Sequence, residues 1–171
     1  MAYDNLFQPL QIGSCTVPNR IVRTAHSTGT NGEEKIEYHE ERARGGIGLT
    51  IIEIAGVQPN SATAIAVFTD AVLPFYEELT RRMHVHGTKV FQQLWHGGAA
   101  YARAGQPVSA SAVPAPSVNM VPRPMTQTMI DETVAAFAAA AARCRDGGLD
   151  GVELHGAHGY LIGQFLSPAT N

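Results

Sequence analysis

The chain has 171 residues, 44% of them hydrophobic, and a formal net charge of −3, which suits one globular domain with a sizeable core. No basic stripe marks a nucleic-acid partner, and no apolar run approaches the roughly 18 residues of a membrane span. Met1 to Arg20 lacks a charged segment followed by an apolar one, so no secretory signal is read there. Cys15 and Cys144 stand apart with no Cys-x-x-Cys pair, and the expected setting is the cytoplasm with both thiols reduced.

Strand-like and helix-like stretches alternate along the chain. Leu6 to Ile12 and Thr16 to Val17 suggest a short hairpin around Gly13, and Arg20 to Ala25 a first buried strand. Glu33 to Arg44 is a charged helix stopped by Gly45-Gly46. Leu49 to Ile54 is apolar and rich in β-branched residues, the pattern of a strand covered on both faces. Leu73 to His86 reads as a helix and Lys89 to Trp95 as a third strand. The irregular stretch His96 to Pro124 holds Pro107, Pro114, Pro116, Pro122 and Pro124, and its length suggests a lid or binding loop. Thr128 then opens a helix, with Asp131 in the capping-box position and Ile130, Val134, Phe137, Ala141 and Cys144 along one face. Gly147-Gly148 ends it, and Gly151 to His155 is the fourth strand.

This alternation predicts an α/β fold with a parallel sheet and helices outside. About four strand-helix units are visible, whereas a (β/α)₈ TIM barrel needs about 250 residues. The expectation is therefore a single domain, 1–171, forming the N-terminal half of such a barrel. Neither Gly45-Gly46-x-Gly48 nor Gly97-Gly98 follows a strand as a Gly-x-Gly-x-x-Gly fingerprint, so no Rossmann unit is read.

The most informative segment is Gly151-Val152-Glu153-Leu154-His155-Gly156-Ala157-His158-Gly159-Tyr160-Leu161, continuing into Gln164-Phe165-Leu166-Ser167-Pro168. Alternation puts Val152 and Leu154 on one side of a strand and Glu153 and His155 on the other. The glycines let the backbone turn, so His155, His158 and Tyr160 can converge at the strand's carboxyl end, where ligands bind in parallel α/β folds. With Leu6-Phe7-Gln8-Pro9-Leu10, Asn19-Arg20-Ile21-Val22, Glu53-Ile54-Ala55 and Phe91-Gln92-Gln93-Leu94-Trp95-His96-Gly97-Gly98 in the same order, the chain resembles the old yellow enzyme family of FMN-dependent oxidoreductases. The Ala25-His26-Ser27 segment is similar to the branch that contains 2,4-dienoyl-CoA reductase and trimethylamine dehydrogenase.

The resemblance implies that NAD(P)H reduces a bound FMN, whose N5 then passes hydride to the β-carbon of an α,β-unsaturated carbonyl compound. In that reading His155 and His158 hold the carbonyl oxygen, where charge develops, and Tyr160 supplies the second proton. Gln93 faces the flavin's pyrimidine edge, since an amide offers both donor and acceptor. Ser27 stands near the C4 oxygen, where no covalent thioether can form, and Thr24, Ala25, His26 and Ile54 add backbone and wall contacts, with His155 also against the cofactor. Gln92 points to the opposite face. Glu53 and Glu153 are inward carboxylates that need partners, and Trp95 and His96 either line the pocket or pack.

Several alternatives stay open on the residues alone. Oxidative N-demethylation of a methylated amine is the second enzymatic reading. A non-catalytic barrel fragment is another, because the template's phosphate-binding loops follow strands seven and eight. Any [4Fe–4S] cluster would belong to a further C-terminal part. The histidines could be structural, or could hold a metal, since His26, His96 and His155 all fall at strand ends; no metal-binding motif supports that. The expected partner is a small-molecule substrate, with self-association through the exposed edges of the first and fourth strands.

Overall fold

Helix α1 (Gly32–Arg44) begins with Glu33 and Glu34 and ends with Arg42 and Arg44, charges that complement its dipole. It buries Lys35, Ile36, His39 and Ala43, and Gly46 takes the left-handed conformation (φ +89°) that lets the chain leave it. Helix α2 (Leu73–His84) carries Pro74 in its first turn, tolerated where the N–H needs no partner, and buries Tyr76, Leu79, Thr80 and Met83 at helical spacing. Its Arg82 bridges Glu33 and Glu40 of α1. Helix α3 (Gln127–Asp146) is the longest, and α4 (Leu161–Leu166) is a short one.

The computed structural model describes residues 3–171. Strands β1 (Leu10–Ile12) and β2 (Cys15–Val17) form an antiparallel hairpin pairing Leu10 with Val17. The main sheet has the order β3 (Val22–Arg23), β4 (Leu49–Gly56), β6 (Lys89–Trp95), β9 (Gly151–Leu154), with β5 (Ile65–Ala66) paired to β4. β3 and β5 both run parallel to β4. β4 is buried along nearly its whole length, as a strand covered on both faces must be. A small parallel pair, β7 (Val108–Ser109) and β8 (Arg123–Pro124), closes the ends of the proline-rich stretch.

The chain resolves into two compact units. The first comprises residues up to Ile54 with Asp70–Gln93 and Ala141–Glu153; the second comprises Ala55–Thr69, Leu94–Ala140 and Leu154–Asn171. Strands β4, β6 and β9 thus contribute most of their length to the first unit and their carboxyl ends to the second. A core of Val17, Leu49, Ile51 and Phe91 lies in the first unit. There Asp150 receives Lys89 and His84 at 2.8 Å and the Val90 N–H at 2.9 Å. Burial works against its charge, yet these donors hold its carboxyl below the usual carboxylate range.

Four expectations need correction. The first strand is two residues long instead of Arg20 to Ala25, because the chain after Arg23 is tied into a loop by side-chain bonds. The capping residue of α3 is Thr126, whose Oγ1 accepts the Met129 N–H at 3.3 Å; Thr128 is already inside the helix. The buried face of α3 carries Thr133, Ala140 and Cys144, while Val134 is 64% exposed. The stretch from His96 to Pro124 is also less irregular than expected, since it contains β7 and most of its length is framed by the β7–β8 pair. Among the described residues, no helix is long and apolar enough to cross a membrane.

Candidate active site

In the first unit the loop after β3 is held by charged side chains on β3 and α1. Arg23, almost buried, donates to Ile51 O at 3.2 Å and to His26 O at 3.3 Å. A guanidinium only donates, so His26 Nε2 accepts from Arg23 at 3.1 Å and His26 Nδ1–H donates to Thr24 O at 3.0 Å. That assigns the neutral tautomer of His26 from the bonding pattern. Further along, the Thr28 N–H donates to Glu53 Oε2 at 3.1 Å, while Lys35 Nζ donates to Thr28 Oγ1 at 3.2 Å and pairs with Glu53 Oε1. Lys35 and Glu53 are 2% and 7% exposed, so each charge is compensated inside the fold. Ser27, at the exposed tip between these anchors, accepts the Gly29 N–H at 3.4 Å and keeps its own hydroxyl proton to donate.

Neighbouring glutamines of β6 point opposite ways, as strand alternation requires. Gln92 is fully buried, accepts from Tyr76 Oη at 3.0 Å and donates to Glu53 O. Gln93 is half-buried and donates one amide N–H to Glu153 Oε1 at 2.5 Å. Its other N–H and its carbonyl oxygen remain as a donor–acceptor pair, the chemistry a flavin pyrimidine edge would take. Ile54 stands half-buried at the end of the first unit's share of β4. The donor set of this unit therefore fits the ring of a flavin.

The second unit brings His155, His158 and Tyr160 together. Centroid separations are 5.0 Å for His155–His158, 4.9 Å for His155–Tyr160 and 6.4 Å for His158–Tyr160, all edge-to-face. His155 is buried at 8% exposure, anchored by its N–H to Leu94 O at 3.0 Å. Its Nδ1 accepts the Ala157 N–H at 3.3 Å, so the neutral ring carries its proton on Nε2. Nε2 lies 3.3 Å from His158 Nδ1, and this tautomer makes His155 the donor. His158 Nε2–H is then the outward donor of the pair. The two imidazoles are therefore linked as a donor–acceptor pair with His158 the more exposed of the two. His158 is exposed and non-glycine at φ +58°, a strained conformation of the kind that collects at functional sites.

Trp95 packs edge-on against Tyr101 at 5.0 Å and Tyr160 at 5.2 Å, and is 2% exposed. His96 is buried and accepts the Gly98 N–H on Nδ1 at 3.1 Å; burial pushes its pKa down to about 4. Trp95 braces the cluster through Tyr160, and the His96 carbonyl accepts the Leu161 N–H next to it at 3.1 Å.

Some important residues escaped the sequence reading. Gln164 is 4% exposed and accepts from the Ala99 N–H at 3.0 Å and Ser109 Oγ at 2.9 Å, while donating to Gly159 O at 2.6 Å. It joins the loop carrying His158 to the start of the proline-rich stretch. A Cβ on Gly98 (φ +58°) would lie 2.1 Å from the Gln164 carboxamide, so glycine is required there. Arg23 and Lys35 were missed as well, since helical and strand periodicity give no hint that such residues are buried. Among the described residues no group of three or more His, Cys, Asp or Glu could hold a metal ion, and Cys15 and Cys144 are free thiols.

Residues 5–171 match the model of the NADH:flavin oxidoreductase / NADH oxidase family. The NADH oxidase of Thermoanaerobacter brockii is 38% identical over 99% of this chain and 28% of its own length. The multifunctional alkene reductase/demethylase OYE of Caballeronia cordobensis is 34% identical over 98% of this chain and 27% of its own. Among solved structures, the old yellow enzyme homologue from Zymomonas mobilis superposes with a TM-score of 0.86 at 28% identity, covering 98% of this chain and 52% of that one. The chain thus spans about a quarter of those two relatives and about half of that (β/α)₈ barrel. A match over nearly all its residues, in sequence and in structure, makes this chain a member of the NADH:flavin oxidoreductase / NADH oxidase family, of old yellow enzyme type.

Proposed function

We propose that this chain forms the substrate-facing half of an FMN-dependent oxidoreductase that uses NAD(P)H to reduce an α,β-unsaturated carbonyl compound. The observation that carries the reading is the His155–His158–Tyr160 cluster beyond the end of β9, with His158 Nε2–H as its outward donor. When bound, the flavin supplies hydride taken from NAD(P)H. Thr24, Ala25, His26 and Ile54 would hold its ring by backbone and wall contacts, Ser27 by its hydroxyl, and Gln93 by its remaining amide donor and acceptor, with His155 alongside. His158 donates to the substrate's carbonyl oxygen, where negative charge grows as hydride arrives at the β-carbon. His155 steadies His158 through the bond between them and becomes a second donor if that bond opens. Tyr160 gives a proton to the α-carbon, a task a phenol can perform when held against a carbanion-like centre.

In a complete protein, stopped-flow kinetics of the two half-reactions test this reading. An enone should reoxidise the reduced flavin, and His158→Ala should slow that step more than reduction by NAD(P)H. Equal damage to both half-reactions with flavin still bound would refute the assignment.

The 171 residues alone are expected to bind FMN weakly. The resemblance supplies groups for the ring but none for the ribityl phosphate, and each missing charge-assisted hydrogen bond costs about 1.5–3 kcal/mol. FMN surviving gel filtration at one per chain would overturn this. The edges of β3 and β9 should also make the chain self-associate, which light scattering measures. Oxidative N-demethylation is the second reading, favoured by the Ala25-His26-Ser27 segment and by the similarity to the Caballeronia alkene reductase/demethylase. Product analysis with an enone and with a methylamine separates the two.

A further inference from the structure

The second unit carries a small cavity of about 10 Å³ beyond the end of β6, whose lining includes Asn60, His96, Gly98, Tyr101, Gln106 and Val108. That is about the space a single water needs. His96 is 3% exposed, and burial keeps its ring neutral at pH 7. Its Nδ1 accepts the Gly98 N–H at 3.1 Å, so the ring proton sits on Nε2. Nε2 is buried and meets no acceptor among the described residues. A buried N–H donor is rarely left in that condition.

The chemistry of the lining selects the occupant. An N–H donor calls for an acceptor, which turns away a cation. No Lys or Arg lines the cavity, so an anion would be buried there without a countercharge. A water accepts from Nε2–H and then needs acceptors for its own protons. Gln106 offers one: its amide N–H donates to Val121 O at 3.3 Å, while its carbonyl oxygen carries no bond among the described residues. The Asn60 carboxamide lines the same space and offers another.

The segment between His96 and β7 is clamped near both ends by one side chain. Gln164 accepts from the Ala99 N–H at 3.0 Å and from Ser109 Oγ at 2.9 Å. Between those points the Tyr101 hydroxyl donates to Ala62 O, and residues 104–108 lie around the cavity. We infer that one buried water, held by His96 Nε2–H and the carboxamide oxygens of Asn60 and Gln106, pins residues 101–108 against the end of β6. The first part of the proline-rich stretch is then a fixed wall and not the moving lid that its length suggests.

Nuclear magnetic resonance of the chain with ¹⁵N-labelled histidine tests this at pH 7. The expected result is a His96 ring protonated on Nε2, with magnetisation transfer from that proton to a long-lived bound water. Hydrogen exchange then follows the Tyr101 and Gly105 amides, which donate to Gly98 O and Ala102 O. His96→Asn keeps an acceptor for the Gly98 N–H but withdraws the donor at Nε2. Both amides should then exchange roughly tenfold faster, while the Gly98 amide changes little. A ring protonated on Nδ1, or an Nε2–H without a bound-water signal, would overturn the inference whether or not the variant folds. Unchanged exchange at Tyr101 and Gly105 in a folded His96→Asn protein would overturn it too. A melting temperature that rises when chloride replaces gluconate at constant ionic strength would make the occupant an anion and refute the water.

Discussion

The polar residues of the first unit and the ring cluster of the second are held by different means. Arg23, His26, Thr28, Lys35, Glu53, Gln93 and Glu153 are locked in reciprocal hydrogen bonds and ion pairs. His155, His158 and Tyr160 meet edge to face, with one imidazole–imidazole bond and a strained backbone at His158. Directional bonds fix atoms to within tenths of an ångström, and a tightly bound cofactor needs such pre-organisation. Ring contacts tolerate small rotations, so this cluster can adjust where the first unit's polar groups cannot. The difference teaches that one chain can hold one set of polar groups rigidly and leave another cluster freer to adjust.

The harshest way to break this comparison is to remove one partner of the buried pair. Lys35→Met leaves the Glu53 carboxylate buried without its cation, and loss of one member of such a pair costs about 3–5 kcal/mol. Urea denaturation of the chain should register it, whereas Arg81→Ala, which breaks the exposed pair with Glu78, should leave the stability nearly unchanged. Similar losses for both variants would deny the first unit its rigid frame.

Acid acts on a buried histidine in each unit next. Burial lowers the pKa of His39 to about 3 in the first unit and of His96 to about 4 in the second. Both are neutral when folded and take up a proton more readily when unfolded. Stability is therefore full above pH about 6.5 and falls as pH drops from there toward the folded values, by on the order of 2–3 kcal/mol per histidine near pH 4.5. Asp150, whose pKa is lowered, adds its own loss only below the ordinary carboxylate range. Measuring unfolding free energy at pH 7 and 4.5 checks the sign, and His39→Leu should flatten the profile.

Smaller effects sharpen the contrast within the site. In a complete protein, His158→Ala should slow reoxidation of the flavin by an enone by roughly thirtyfold, about 2 kcal/mol. That is less than the loss of a single donor from a dedicated oxyanion hole, because His155 can take over part of the task. Tyr160→Phe should slow the same step while leaving substrate affinity near normal. Glu153→Gln replaces a charged acceptor for the Gln93 amide with a neutral one and should weaken FMN binding by a few-fold, about 1 kcal/mol, in a titration. An unchanged FMN affinity would mean that Gln93 does not need its carboxylate neighbour.

The four main strands and three long helices were legible in the sequence because their apolar residues recur with the period of a strand or a helix, and because Gly45-Gly46 and Gly147-Gly148 mark helix ends. The convergence of His155, His158 and Tyr160 was legible too, since all three sit within six residues on one glycine-hinged turn. What only the tertiary structure decided were contacts between residues distant in the chain. Lys35 meets Glu53, Gln93 meets Glu153, and Gln164 reaches Ala99 and Ser109. Local periodicity reports which face of an element is apolar, but not which polar side chain from another element will be buried against it. It also misread α3, where Val134 lies outside because a helix of twenty residues carries two apolar stripes and only packing chooses which is covered. Which imidazole of the pair donates, His155 and not His158, likewise depends on a single backbone N–H at Ala157 that assigns the tautomer.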